Sequence, residues 1–287
     1  MSWSSILLVT SLLLIVLATA LWLFVYPRWR HRQIERQPFP ANWLRVVEQS
    51  LPFYRRMPPA LQIALQNQIK HFLANKRFVG CAGFVMNEAV KVSIAAQACL
   101  LILQRPGDYY SSLSSILVYP SEFMAAHERA DESGLVSNRA NVLAGEAWSD
   151  GKIILSWDSV ARGAANFTDG HNVVLHEFAH QLDNQFGHAN GAPWQSSHQA
   201  LQDWSRVFND EFLRLRRLAE DPVARYQEMS EQVLDFYGAS EPAEFFAVST
   251  EAFFERPHAL AARHPELFEQ LHFYYRVDPR LWHSQAV

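Results

Sequence analysis

The stretch 171–183, HNVVLHEFAHQLD, places two histidines, His176 and His180, four residues apart with Glu177 between them. On a helix such residues stand one turn apart on the same face. That is the geometry two imidazoles need to share one metal ion. Glu177 is turned about 100° around the helix from His176, where it can reach a water at the metal without binding the metal itself. The pattern H-E-x-x-H therefore reads as a zinc site built for hydrolysis. The competing reading is a core helix whose histidines bond to backbone carbonyls. The apolar Phe178 and Ala179 weigh against it, because two histidines and a glutamate buried without purpose would be costly. Asp183, three residues past His180, is placed to accept a hydrogen bond from a ligand ring. His171, His188 and His198 lack a ligand spacing and read as surface or capping residues.

A catalytic zinc usually takes three protein ligands and a water. In one protease class a third histidine follows six residues after the second, but here position 186 is Phe. The ligand must come from elsewhere, and the richest region is 237–257, YGASEPAEFFAVSTEAFFERP. Ser240 and Pro242 mark a helix start, and Arg256 with Pro257 marks its end. Glu244, Val248, Glu251 and Glu255 recur at four, three and four, so three carboxylates share one stripe. Phe245, Phe246, Ala247, Ala252, Phe253 and Phe254 fill the other sides. A solvated acidic face is the competing reading. The aromatic surroundings oppose it for at least one glutamate.

The elements that must position these residues follow from apolar patterning. Residues 6–26, ILLVTSLLLIVLATALWLFVY, carry no charge, and at about 1.5 Å per residue they span a hydrocarbon core of about 30 Å. MSWSS lacks the positive start of a signal peptide, although Ala18-Thr19-Ala20 resembles a cleavage site. A single membrane anchor is the expectation. Arg28, Arg30, Arg32 and Arg36 follow it and nothing basic precedes it, which puts the N-terminus outside and the body of the protein in the cytoplasm. These arginines suit anionic headgroups. With a formal net charge of −4 across 287 residues, nothing else suggests a nucleic-acid surface.

The prolines and charges of 28–58 read as a juxtamembrane linker with one short helix, NWLRVVEQ. From Pro59 helical spacing takes over, and a second helix is expected from Glu88 to Leu103. ILVYP (116–120) and GKIILSW (151–157) read as buried strands, with a polar stretch between them that includes Asp131, Glu132, Ser133, Gly134 and Asn138. Helices return from Asn172, with turn signals at GHANGAPW and YGASEP. Thr168, Asp169 and Asn172 are candidate caps for the HEFAH helix, which is expected to end at Gly187. Cys81 and Cys99 lie in apolar contexts and read as buried free thiols. The expected organisation is an anchor (1–27), a linker (28–58) and one domain (59–287). Its fold class is α+β, predominantly helical, with a small sheet before the HEFAH helix and one transmembrane helix ahead of it all.

VLHEFAHQLD followed by YGASEPAEFFAVSTEAFFE resembles the Mlc titration factor A family of zinc metallopeptidases. RFVGCAG, VSIAAQACLLIL, SSILVYPSEF and GKIILSWDSV resemble other segments of that family, so the likeness runs over about residues 42–280. It implies a zincin-like core similar to the lethal-factor catalytic domain, within the glutamate-zincin group. It implies one zinc ion on His176, His180 and Glu244, Glu177 as general base, and Tyr237 as an active-site hydroxyl. It also implies a peptide or protein substrate, aminopeptidase-like activity, and binding to a transcriptional repressor of sugar uptake. The added hydrophobic N-terminus departs from the family, and it would place the chain in a bacterial inner membrane as a single-pass protein.

Glu244 and Glu251 are about 10 Å apart along a helix axis, so one zinc cannot take both. Glu244 lies in the first helical turn, near Tyr237, where the helix N-terminus favours an ionised carboxylate. It is the favoured ligand. Glu251 is left for hydrogen bonds around the site or for solvent. The expected chemistry is peptide hydrolysis, with GKIILSW offering its edge to an extended peptide. A different class of protein is the rival: a membrane-tethered regulatory binder in which the zinc is structural. Such a site would have no use for Glu177.

Overall fold

The computed structural model describes residues 3–105, 110–121, 123–130, 136–143, 145–148, 151–185, 190–228 and 232–283. The chain divides into two units, Met1–Pro40 and Ala41–Val287. The first is helical from Trp3 to Arg36: α1 (Trp3–Ala20), one π turn (Leu21–Val25) and α2 (Tyr26–Arg36). Trp3–Arg36 forms a run of 34 residues with a mean hydropathy of 2.7 in its apolar window, none of which is buried. It is long and apolar enough to cross a membrane.

The second unit begins with α3 (Ala41–Ser50), in the second half of the stretch 28–58. Val47, Leu51, Phe53, Tyr54 and Met57 are buried here, so this segment is part of a core. Next come α4 (Pro59–Asn75), β1 (Arg77–Gly80) and α5 (Glu88–Leu100). Then follow β2 (Ser115–Tyr119), β3 (Phe123–Ala130), β4 (Val136–Leu143), β5 (Gly145–Trp148) and β6 (Lys152–Ser156). The helices α6 (Trp157–Ala165), α7 (Val173–Asn184), α8 (His198–Glu220), α9 (Pro222–Glu228), α10 (Pro242–Glu255), α11 (Pro257–Arg263) and α12 (Pro265–Tyr275) complete it. The class is α+β and mostly helical.

The sheet has the order β1-β2-β6-β5. β1, β2 and β6 run parallel, with Phe78 opposite Ile116 and Ile116 opposite Ile153. β5 pairs antiparallel to β6, Glu146 opposite Ile154. Strand β6 is therefore interior. The expectation that GKIILSW offers a free edge is corrected: β2 and β5 occupy both its sides, and the edge on this side of the sheet belongs to β5. The expected polar stretch also holds structure, since β3 and β4 pair antiparallel, with Asn138 opposite Glu128. Asp131, Glu132, Ser133 and Gly134 lie outside the described residues, as does Gly187.

α5 is buried along most of its length, from Val92 to Leu100, because it lies against α3, α4, α6 and α7. α7, which carries HEFAH, packs on α5, α6, α10, β5 and β6. Phe178 fixes it from below, with its ring 4.9 Å from that of Tyr110 and 5.7 Å from that of Phe72. Burying such a side chain contributes about 1.5–3 kcal/mol. The back of α10 is held by aromatics: Phe246 meets Trp204 of α8 and Tyr274 of α12, and Phe253 stacks on Tyr275. This packing turns the acidic stripe of α10 towards α7. Of the two cysteines, Cys99 is buried and Cys81 only partly so; both are free. Burial pushes the Cys99 thiol up.

Candidate metal centre

The helix that carries the histidines starts at Asn172, whose Oδ1 accepts the backbone N–H groups of Val174 and Leu175, both at 3.1 Å. One turn in, His176 and His180 face each other, Nε2 to Nε2 at 3.2 Å. α10 crosses them at its first turn. Glu244 Oε2 lies 2.9 Å from His176 Nε2 and 3.4 Å from His180 Nε2. Three atoms held at about 2.0–2.1 Å from one tetrahedral metal stand about 3.3 Å from each other. The separations of 2.9, 3.2 and 3.4 Å match that spacing.

The donor chemistry fits as well. Glu251 Oε2 lies 3.2 Å from His176 Nδ1. A carboxylate only accepts, so Nδ1 carries a proton there; with a metal bound, Nε2 would be left to present its lone pair to that metal. Three ligand atoms thus converge on a point that calls for positive charge. The same demand shows in the proton affinities. Burial disfavours a charged His176, yet Glu251, Glu244 and Glu177 outweigh it and hold the ring well above the ordinary histidine range. Burial likewise works against an ionised Glu244, but the His176 and His180 rings hold its carboxyl well below the carboxylate range. A divalent cation supplies that charge without a proton.

Glu177 is buried and adds its charge to the site. Tyr237 sits on the 3-10 turn Phe236–Ala239, fixed by Asp235 Oδ1, which accepts the Tyr237 N–H at 2.6 Å. Its ring centre is 6.0 Å from that of His176. Partial burial, then the charges of Glu244 and Glu177, push its hydroxyl up to about 12, so it keeps its proton at neutral pH. It is 58% exposed and therefore open to a ligand arriving from solvent.

Asp183 is placed differently from expectation. It is buried, its Oδ2 accepts the Gly191 N–H at 2.7 Å, and among the described residues it makes no hydrogen bond to either histidine ring. The backbone explains this: the Gly191 that donates to Asp183 also accepts from Trp204 Nε1, so Asp183 ties α7 to α8. Burial pushes its carboxyl up to about 6 against that N–H bond and the nearby His180. Glu251 is the residue that bonds a histidine ring here. His171 and His198 are exposed, with His171 3.5 Å from Asp235 and His198 bonded to Gln202; His188 lies outside the described residues.

The solvated reading of the acidic stripe does not hold, since Glu251 is 5% and Glu255 2% exposed. Gln97, and the bonds of Asn172 beyond its cap, escaped the sequence reading. The available signal was the position of Asn172 four residues before His176, opposite a helix with three carboxylates on one stripe.

The profile of the family described as glucose-regulated metallo-peptidase M90 matches residues 26–276. An uncharacterised protein of Synechocystis sp. is 37% identical over 271 residues, covering 93% of this chain and 96% of that protein. Mlc titration factor A of Escherichia coli is 31% identical over 241 residues, 82% of this chain and 87% of the relative. The protein of the same name from Shigella flexneri is 32% identical over the same length.

Proposed function

This chain belongs to the glucose-regulated metallo-peptidase M90 family, and from that premise we propose that it is a zinc-dependent peptidase with one zinc ion per chain on His176, His180 and Glu244. The observation that carries the reading is the meeting of those three ligand atoms within 2.9–3.4 Å of one another, beside the buried Glu177. Bound there, zinc supplies a Lewis acid for the scissile carbonyl and makes water a stronger acid. Glu177 takes the proton of the attacking water and delivers it to the leaving amine. Tyr237 donates a hydrogen bond to the carbonyl oxygen as negative charge develops on it. Glu251 holds the His176 ring in the tautomer that frees Nε2. An extended peptide pairs with the edge of β5, which packs against α7.

The apolar helix Trp3–Arg36 anchors the enzyme in the bilayer. Arg28, Arg30, Arg32 and Arg36 keep their side of the membrane cytoplasmic. Alkaline phosphatase fused to the C-terminus in a bacterial host is then inactive; an active fusion reverses the orientation. The names of the relatives carry a second reading, a regulatory role through binding a repressor of the Mlc type. Aminopeptidase-like cleavage is the exopeptidase form of the first. Fluorogenic peptides and amino-acyl substrates, offered to the full chain before and after chelation, separate the two. Cleavage that stops with chelation and returns with zinc supports the peptidase. Metal-loaded chain that cleaves none of them and still binds the repressor supports the binder.

A further inference from the structure

Behind the three ligand atoms lies a second layer of buried polar side chains drawn from three elements: Gln97 of α5, Asn172 ahead of α7, and Glu251 and Glu255 of α10. All four are buried. Asn172 is bonded to each of the others. Its backbone N–H goes to Glu251 Oε1 at 2.7 Å, and its Nδ2 goes to Gln97 Oε1 at 2.8 Å and Glu255 Oε1 at 3.1 Å. Its Oδ1 caps α7. Glu255 also accepts the Gly170 N–H at 2.9 Å. Gly170 has φ +88°, a backbone form that side-chain-bearing residues rarely adopt. The turn entering α7 is thus bonded from both sides.

We propose that Asn172 is a positioning residue for the metal centre: with Gln97 and Glu255 it fixes Glu251 against His176, and so sets where His176 Nε2 points. The inference rests on reading the centre as a zinc site. A helix cap alone would need only the Oδ1 of Asn172. The amide and the backbone N–H serve another purpose. Glu251 bridges the two, with Oε1 on Asn172 and Oε2 on His176 Nδ1, so any shift of Asn172 is passed to the ligand ring through one carboxylate. Glu251 and Glu255 are one turn apart on α10, and two buried carboxyl groups so placed disfavour each other's ionisation. Donors from Asn172 give each of them a partner and hold them in fixed places. The room is closed as well: a Cβ at Gly163 would stand 3.1 Å from the Asn172 amide, so α6 presses directly on it.

Asn172→Ser separates the roles, because serine is an equally good cap and keeps the backbone N–H on Glu251, but has no amide to lock that N–H in place against Gln97 and Glu255. The test measures zinc affinity of the full chain in detergent by competition with a chelator, together with the melting temperature of the metal-free chain and the peptidase rate at rising zinc. Asn172→Ser is expected to weaken zinc binding by about 10-fold or more, with a lowered melting temperature of a chain that still folds, since Gln97 and Glu255 lose a donor, and a rate that recovers at saturating zinc. Gln97→Met, which removes one amide partner without touching α7, is expected to weaken zinc binding in the same direction and by less; it decides the matter if Asn172→Ser fails to fold. Parental zinc affinity in a folded Asn172→Ser, or in Gln97→Met where the first variant does not fold, overturns the inference and leaves Asn172 a cap. A parent chain that binds no zinc instead overturns the reading of the centre, and the inference with it.

Discussion

Helices α8 and α10 both carry charges at helical spacing, yet they use them in opposite ways. On α8, Arg216 and Glu220 pair at 3.2 Å with side chains 55% and 66% exposed. Water solvates both charges, and such pairs contribute about 0–1 kcal/mol. On α10 the stripe Glu244, Glu251 and Glu255 faces α7, and each carboxylate has a particular donor or ring in contact. A buried carboxylate is costly unless it is hydrogen-bonded or paired. Three buried acidic side chains in one helix, all partnered, make sense where the protein needs ligand and acceptor atoms gathered at one place. Acidic residues become informative when aromatics occupy the rest of the helix, as Phe245, Phe246, Phe253 and Phe254 do on α10.

Variants can break this contrast or sharpen it. The largest effect is expected from Glu177→Gln, which removes the buried proposed base next to the stripe without touching the proposed ligands. Peptidase turnover should fall by about two orders of magnitude or more, with zinc content unchanged; parental turnover would remove Glu177 from the chemistry. Glu251→Ala should weaken zinc binding by about 10- to 100-fold, since His176 loses the acceptor on Nδ1, yet the metal should still load. Zinc competition on that variant reads this directly.

Glu255 gives a smaller, pH-dependent effect. Burial, reinforced by the charges of Glu251 and Asp169, pushes its carboxyl up to about 9 against the donors of Asn172 and Gly170. The folded chain therefore binds this proton more tightly than the unfolded chain, whose glutamates titrate near about 4.3. The stability it contributes is complete below that value and is lost as pH rises towards about 9. The melting temperature of the metal-free chain should fall across that window, and Glu255→Gln should flatten the fall. An equal fall in the variant would assign the slope to other groups. The smallest effect belongs to α8: Arg216→Ala should leave stability within about 0.5 kcal/mol of the parent by denaturant unfolding.

Much of this was legible from the chain. The HEFAH helix and the α10 helix were written in spacing and in caps, because both periodicities are local. β2 and β6 were legible as short apolar runs bounded by turns. β3, β4 and β5 were not, since FMAAHERA and VSNRANVL mix charged and apolar residues with no long apolar run, and pairing between strands is not written in either one alone. The edge assigned to β6 failed for the same reason: which strand is outermost depends on β5, a four-residue strand. At the site, the meeting of Glu244 with the two histidines could be argued from helix length and capping. The tie of Asp183 to Gly191 could not, because it depends on where a residue eight positions on comes back to α7.

The proposed centre holds one zinc ion on His176, His180 and Glu244 together, with Glu251 behind them. Zinc content of the purified full chain, compared between Glu244→Ala and Glu251→Ala, tests it most directly. One zinc per parent chain, none retained by Glu244→Ala and metal still carried by Glu251→Ala is the predicted result. Stoichiometric zinc in Glu244→Ala, with zinc missing from Glu251→Ala, would contradict it and move the third ligand two turns along α10.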